Sequence, residues 1–148
     1  FLTPLKGKTY GDHLLKPSYI YSKLIQDIFM HTIDIHYMVH ITGHGWRKLM
    51  RAKENFTYRI KKIPSIPAVF TFIQKETGMT HEEMYSTFNM GAGFAIFIAE
   101  KDVSKVILIS KKHSIRAYSA GTVEKGKKQV IVEQKNIVLK KSSLRLRA

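Results

Sequence analysis

The run from Phe94 to Ala99 (FAIFIA) constrains the fold more than any other segment of the sequence. It is continuously apolar and follows two closely spaced glycines, Gly91 and Gly93. A short apolar run without polar alternation is typical of a strand that is covered on both faces. We therefore expect a central strand, deep in the core, with further layers of structure on either side.

Helix and strand patterns alternate irregularly along the rest of the chain. Apolar spacing predicts helices over residues 18–30, 46–52, 67–76, 81–90 and 102–112. Alternation and β-branched content predict strands over residues 35–41, 56–63, 94–99, 115–123, 129–133 and 137–139. Thr80 and Glu83 have the spacing of a capping box. These elements predict an α+β fold in which helices pack on a mixed β-sheet.

The first residues lack the periodicity of a helix or strand. Residues 1–16 contain Pro4, Gly7 and Gly11, which predicts an extended lead-in. The chain begins at Phe1 rather than Met and shows no secretion signal, so we expect it to be a piece of a longer chain. We expect residues 1–148 to form a single domain.

Composition excludes several classes of protein. A chain of 148 residues can bury a core without metal or disulfide crosslinks. The absence of cysteine excludes a disulfide scaffold, a cysteine-based zinc site and a cysteine nucleophile. No apolar run approaches the roughly 20 residues that a membrane helix requires. We therefore expect no membrane partner.

The chain is strongly basic, with 25 Lys and Arg against 11 Asp and Glu, a formal net charge of +14. Such a charge is typical of nucleic-acid-binding domains, but the sequence contains no recognisable reader motif. The basic residues are also dispersed, as expected for a solvated surface. We therefore predict no specific nucleic-acid partner and keep a basic nucleic-acid-binding module as an alternative. The main basic positions are Arg47, Lys48, Arg51, Arg59, Lys61, Lys62, Lys111, Lys112, Lys125, Lys127, Lys128, Lys140, Lys141, Arg145 and Arg147.

The segment His40-Ile41-Thr42-Gly43-His44-Gly45-Trp46 joins a predicted strand to a predicted helix. Its two glycines allow a tight bend and a close approach of backbone to ligand, and the following helix N-terminus would offer N–H donors to a phosphate. Thr42 adds a hydroxyl. The spacing matches neither a P-loop nor G-x-G-x-x-G, so a purely structural turn remains the alternative.

A second glycine-rich junction, Asn89-Met90-Gly91-Ala92-Gly93, connects a predicted helix to the apolar strand. The simplest interpretation is that Asn89 ends the helix in a left-handed conformation. The functional alternative is that its amide points into a cleft whose walls are the two glycine turns.

The seven histidines do not predict a metal site. His36, His40 and His44 are four residues apart, but they cross a predicted strand and turn rather than one helix. No H-E-x-x-H motif and no cluster of carboxylates accompanies them. We therefore predict no metal ligand.

Taken together with their flanks, the two turns resemble the C-terminal half of the phosphoribosylformylglycinamidine cyclo-ligase (aminoimidazole ribonucleotide synthetase) family. Residues 11–21 resemble its G-x-x-L-L-x-P-T-x-I-Y segment, residues 40–45 its H-I-T-G-G-G turn, and residues 83–93 its E-M-Y-x-T-F-N-x-G-x-G segment. Residues 126–130 and 135–138 are similar to its final strands. The likeness extends from about residue 7 to residue 139, and the E-M-Y-x-T-F-N segment favours this family over the related thiamine monophosphate kinases, selenophosphate synthetases and formylglycinamidine ribonucleotide synthetases.

The resemblance implies an ATP-dependent step of purine biosynthesis in the cytoplasm. ATP would phosphorylate the formyl amide oxygen of formylglycinamidine ribonucleotide, and an amidine nitrogen would close the ring of aminoimidazole ribonucleotide. An N-terminal half, absent from this chain, would supply the homodimer core and most contacts to ATP and Mg²⁺. This chain alone would then be inactive. A related phosphotransferase of the same superfamily is the alternative.

The resemblance also implies a set of substrate-binding positions but no catalytic residue. One position departs from the family pattern, because the middle glycine of the triple is His44 here. A side chain at that position would narrow the turn or point into the cleft. The implied substrate-binding residues are His40, Thr42, Gly43, His44, Gly45, Asn89, Gly91 and Gly93.

Overall fold

The structure, a computed structural model, describes residues 2–144. Basic positions Arg145 and Arg147 lie outside the described residues. The strands are β1 (Pro4–Leu5), β2 (Lys8–Thr9), β3 (Ile35–His40), β4 (Phe56–Ile60), β5 (Phe94–Ile98), β6 (Gly121–Lys125), β7 (Gln129–Val132) and β8 (Ile137–Lys140). The α-helices are α1 (Tyr10–Leu14), α2 (Ser22–Phe29), α3 (Ala68–Thr77), α4 (His81–Thr87) and α5 (Val103–Lys112).

The largest sheet is mixed, as predicted. Its four strands lie in the order β6-β4-β7-β8, with β4 parallel to β7 and the other neighbours antiparallel. Tyr58 on β4, Val130 and Val132 on β7 and Leu139 on β8 are buried in the main core. The α+β class is therefore confirmed.

The apolar strand β5 is covered on both faces but is not deep in the core. Ala95 and Phe97 pack against the main core, whereas Ile96 and Ile98 pack against a second cluster built on α2 and α5. Every residue of β5 is nevertheless half-buried. The reason is that β5 pairs only with β3, in an antiparallel two-stranded sheet of the described residues.

The prediction of an extended lead-in is wrong for the described residues 2–16. β1 and β2 form a short antiparallel hairpin, and α1 follows directly. Thr9 caps this helix, because its hydroxyl accepts from the Asp12 amide while the Asp12 carboxylate accepts from the Thr9 backbone. The pattern Thr-x-x-Asp was the signal for this cap.

The helix predicted over 18–30 begins only at Ser22. Ile20 and Phe29, two of the apolar residues whose spacing predicts this helix, are 82% and 61% exposed. The apolar face that packs on α5 is therefore narrower than the periodicity indicated, and its buried residues are Leu24 and Ile28.

Two other predicted elements change in type or extent. The helix predicted over 46–52 is a 3₁₀ helix over Gly45–Arg51 that buries Trp46, Leu49 and Met50. The strand predicted over 115–123 begins only at Gly121, where pairing with β4 begins opposite Ile60. None of the described helices is both long and apolar enough to cross a membrane.

Candidate functional site at the paired glycine turns

The fold places the two predicted glycine turns side by side. His40 at the end of β3 pairs with Phe94 at the start of β5. One residue further along, the Ile41 N–H donates to the Gly93 carbonyl oxygen at 2.9 Å. Residues 40–46 and 89–93, here called the paired turns, therefore form one continuous surface although about fifty positions separate them in sequence.

The open part of this surface is the stretch Thr42–Gly43–His44, in which all three residues are exposed. A Cβ placed on Gly43 would meet no atom within 4 Å. Gly43 is therefore the glycine past which a ligand can approach the backbone closely. His44 has a φ of 71°, the left-handed conformation that a glycine adopts without steric cost.

Gly45 and Gly91 are required by packing inside the protein. Gly45 is buried with a φ of +50°, and a Cβ there would lie 2.8 Å from the Phe88 carbonyl oxygen and closer still to that of Tyr85. A Cβ on Gly91, whose φ is +96°, would lie 2.8 Å from the Ser65 carbonyl oxygen. These glycines let the turns pack against α4 and against the 64–67 loop, respectively.

The expected helix N-terminus does not offer its first amide to a ligand. The Gly45 N–H already donates to the Thr42 carbonyl oxygen at 3.0 Å, and the element that follows is a seven-residue 3₁₀ helix. The anion-binding potential of this turn therefore comes from the exposed residues before Gly45 rather than from a helix dipole.

Asn89 does not end its helix in the left-handed conformation. Its side-chain oxygen accepts from the Gly91 N–H at 2.9 Å, which closes the second turn on itself. Its carbonyl oxygen accepts from the indole N–H of Trp46 at 2.8 Å, which ties the two turns together. The left-handed residue at this junction is Met90, with a φ of 49°.

Two further side chains, which are not among the implied substrate-binding residues, border the same surface. The first is Tyr21, whose ring centroid lies 5.7 Å from that of His40 and 5.0 Å from that of Phe94. Its hydroxyl occupies the space above Gly93 where a Cβ would otherwise lie. Burial raises the pKa of the Tyr21 hydroxyl, so this group is a neutral hydrogen-bonding group at neutral pH.

The second is Lys48, whose ammonium donates to the Thr42 hydroxyl and, at 3.2 Å, to the His40 carbonyl oxygen. Burial, with a contribution from the neighbouring Arg51 charge, lowers the pKa of Lys48 below its ordinary value. Lys48 reaches residues 40–42 because the 3₁₀ helix in which it lies turns the chain back toward them. In the sequence, Lys48 is only one of many dispersed basic residues.

Together with Lys48, the paired turns therefore present an ammonium, a hydroxyl, the His40 imidazole and an exposed glycine backbone on one surface. This is the donor set of a site for a phosphate or another oxygen-rich ligand. Within residues 2–144 no group of three or more His, Asp and Glu side chains is placed to hold a metal ion.

The chain is similar in sequence to several known proteins. Residues 2–133 match the family described as AIR synthase related protein, C-terminal domain. The chain is similar to proteins named phosphoribosylformylglycinamidine cyclo-ligase. That of Methanococcus vannielii is 40% identical over 118 residues, which are 80% of this chain and 34% of the relative. That of Methanocaldococcus jannaschii is 39% identical over 118 residues, which are 79% of this chain and 34% of the relative. A Methanococcus maripaludis relative is 36% identical over 138 residues (88% and 39%). The chain thus spans about a third of the length of these relatives. It belongs to the family described as AIR synthase related protein, C-terminal domain.

Proposed function

We propose that this chain is the C-terminal part of an ATP-dependent cyclo-ligase that converts formylglycinamidine ribonucleotide to aminoimidazole ribonucleotide. The observation that carries the proposal is the hydrogen bond between Ile41 and Gly93, which joins two turns that each match the cyclo-ligase pattern. The similar proteins of known name, at 36–40% identity, support the same reaction.

In this proposal the paired turns hold the substrate rather than the nucleotide. The Lys48 ammonium is fixed by Thr42 and His40, so it adds a positive charge to the turn without a further loss of side-chain entropy. The exposed Gly43 backbone and the Thr42 hydroxyl contact the phosphate or the formyl amide end of the ribonucleotide. His40, next to Tyr21 and Phe94, borders the same surface.

The residues of the paired turns do not fit Mg²⁺, because this ion prefers carboxylate oxygens and the turns themselves contain none. The same turns lack the glycine-rich spacing and lysine of a P-loop. We therefore assign ATP and Mg²⁺ to the part of the relatives that this chain does not cover, and we derive no step through them here.

The proposal makes the remainder of the cyclo-ligase, its N-terminal half, the partner of this chain. In the assembled cytoplasmic homodimer the site would lie between the two halves, so the 148-residue chain alone would be inactive. The measurement is formation of aminoimidazole ribonucleotide by this chain with and without an added N-terminal half. Turnover by the chain alone, or no turnover by the pair, would contradict the proposal.

The role of the paired turns is tested in the reassembled enzyme with Gly43→Ala and Thr42→Val. Gly43 has open space around it, so its methyl group leaves the fold intact and obstructs only the ligand. Thr42→Val removes a hydroxyl at nearly constant volume, which costs about 1–3 kcal/mol of binding if its partner is charged. We expect the KM for the ribonucleotide to rise about fivefold or more in both variants.

The matched control is Thr32→Val, an exposed threonine in the segment between α2 and β3. It should leave the KM unchanged. Unaltered KM and kcat in both Gly43→Ala and Thr42→Val would mean that the substrate binds elsewhere.

A further inference from the structure

The topology of the four-stranded sheet collects charge that is dispersed in the sequence. The parallel strands β4 and β7 both begin at one end of this sheet. The antiparallel strands β6 and β8 both finish there, since Phe56 pairs with Lys125 and Gln129 pairs with Lys140. The residues that precede β4 and β7 and those that follow β6 and β8 therefore lie together.

Those residues are rich in lysine. We define the sheet-end patch as Lys53, Lys125, Lys127, Lys128, Lys140 and Lys141. The Lys128 ammonium donates to the carbonyl oxygens of Ala52 at 2.6 Å and Lys53 at 3.2 Å, which fixes the segment before β4 against that before β7. Lys53, Lys125, Lys127, Lys140 and Lys141 are exposed.

Few carboxylates offset this charge. The acidic residues in the same segments are Glu54 and Glu124. Glu124 accepts a hydrogen bond from the Arg59 guanidinium at 3.0 Å, so its charge is already paired. Within the described segments the patch therefore has six lysines against two carboxylates, which makes it a region of positive potential.

The shape and lining of the patch favour a phosphate backbone over a protein surface. A groove runs across it, and each described residue that lines it carries a charged, amide or hydroxyl group: Asn55, Lys127, Lys128, Gln129, Lys140, Lys141 and Ser142. Protein interfaces are depleted in lysine and depend on buried aromatic or aliphatic anchors, which this groove lacks. Lysines with amide and hydroxyl groups between them are instead the usual partners of phosphate and sugar oxygens.

We propose that the sheet-end patch binds the phosphodiester backbone of nucleic acid without sequence selectivity. Lysine ammonium groups are compact point charges, so they neutralise phosphates but do not read base edges. The patch lies on a different part of the fold from the paired turns, and this binding does not depend on the proposed ligase activity.

The test is fluorescence anisotropy of a labelled single-stranded oligonucleotide of mixed sequence, titrated with this chain at several salt concentrations. The variant Lys125→Gln/Lys127→Gln/Lys141→Gln should bind at least about tenfold more weakly, and its plot of log K against log salt should be flatter by about 2. The control Lys23→Gln/Lys75→Gln/Lys101→Gln removes the same charge from exposed positions elsewhere. It should retain most of the affinity.

Equal losses of affinity for the oligonucleotide in the two triple variants would overturn the proposal, because binding would then depend on net charge alone. Tighter binding to anionic phospholipid vesicles or to a polyglutamate peptide than to the oligonucleotide would also overturn it. Acetylation footprinting of the unaltered chain gives a readout that needs no variant. Bound oligonucleotide should protect Lys125, Lys127 and Lys141 and leave Lys23 and Lys101 reactive; the reverse pattern would contradict the assignment.

Discussion

At the scale of single residues, His44 is the point where this chain departs most from the pattern that its turn resembles. The residue has a φ of 71°, and its carbonyl oxygen accepts a long hydrogen bond of 3.4 Å from the Arg47 guanidinium. A side chain at this φ crowds the backbone, whereas glycine does not. The fold therefore accommodates a conformational cost at an exposed position within the candidate site.

His44→Gly should stabilise the protein by about 0.5–1 kcal/mol, because relief of the left-handed conformation outweighs the added freedom of the unfolded chain. Urea denaturation followed by circular dichroism measures this change. His36→Gly is the control. His36 lies in β3 with a negative φ, so the protein should lose stability when this residue is replaced by glycine. A loss of stability in both variants would show that the His44 side chain itself stabilises the turn.

Gly45→Ala should be strongly destabilising, by about 3 kcal/mol, for two reasons. The methyl group would overlap carbonyl oxygens at the end of α4, and the residue would keep a φ of +50°. Gly43→Ala, two residues away, should change stability by less than about 0.5 kcal/mol. Thermal denaturation of the two variants measures this difference in stability. Similar stabilities would contradict the conclusion that Gly45 is required by packing whereas Gly43 leaves the backbone open to a ligand.

At the scale of elements, the second core cluster depends on contact between α2 and α5. Leu24 and Ile28 of α2 are buried with Val106 and Ile109 of α5. A polar contact joins the C-terminal parts of the two elements, because the His113 ring nitrogen lies 2.9 Å from the Asp27 carboxylate. The hydrogen bond from His113, reinforced by the positive charges nearby, lowers the pKa of Asp27 below 3.8.

This contact predicts a pH dependence of stability. Because the folded pKa of Asp27 is lower than the unfolded one, the carboxylate stabilises the fold fully above the unfolded value, and the effect is lost as pH falls through the folded value. The difference in stability between wild type and Asp27→Asn should therefore shrink as the pH falls from about 5 toward about 2. Urea denaturation at a series of pH values measures it.

Asp34→Asn is the comparison for Asp27, since the Asp34–His36 pair is 3.1 Å apart but more than half exposed on both sides. An exposed ion pair contributes little to stability. The difference in stability between wild type and Asp34→Asn should therefore be smaller than that for Asp27→Asn at every pH. A difference for Asp27→Asn that does not vary between about pH 5 and pH 2 would contradict the role given to Asp27.

At the scale of the whole molecule, the net charge of +14 opposes compaction. Raising salt from about 0.01 M to about 0.1 M shortens the range of charge repulsion from about 30 Å to about 10 Å. The Tm of this chain should therefore rise by about 2–5 °C over that interval. Calorimetry in NaCl and in KCl should agree, and a Tm that falls or depends on the choice of cation would contradict screening as the cause.

The sequence by itself determined the features that depend on neighbouring residues. The capping box of Thr80 and Glu83 is present as predicted, with the Thr80 hydroxyl accepting from the Glu83 amide at 3.2 Å. α3 ends at Gly78 in the left-handed conformation, and the FAIFIA strand is covered on both faces. The resemblance to the cyclo-ligase family also came from the sequence, and the family membership is confirmed.

Only the tertiary structure decided which residues share a surface. Residues 40–46 and 89–93 meet because β3 pairs with β5, and the lysines near β4, β6, β7 and β8 gather because of strand order. Gly45 packs against α4, whereas Gly43 stays open, although the two are only two residues apart in the same motif. Local periodicity reports which side of an element is apolar, but not which distant segment covers it, so these contacts follow from the fold alone.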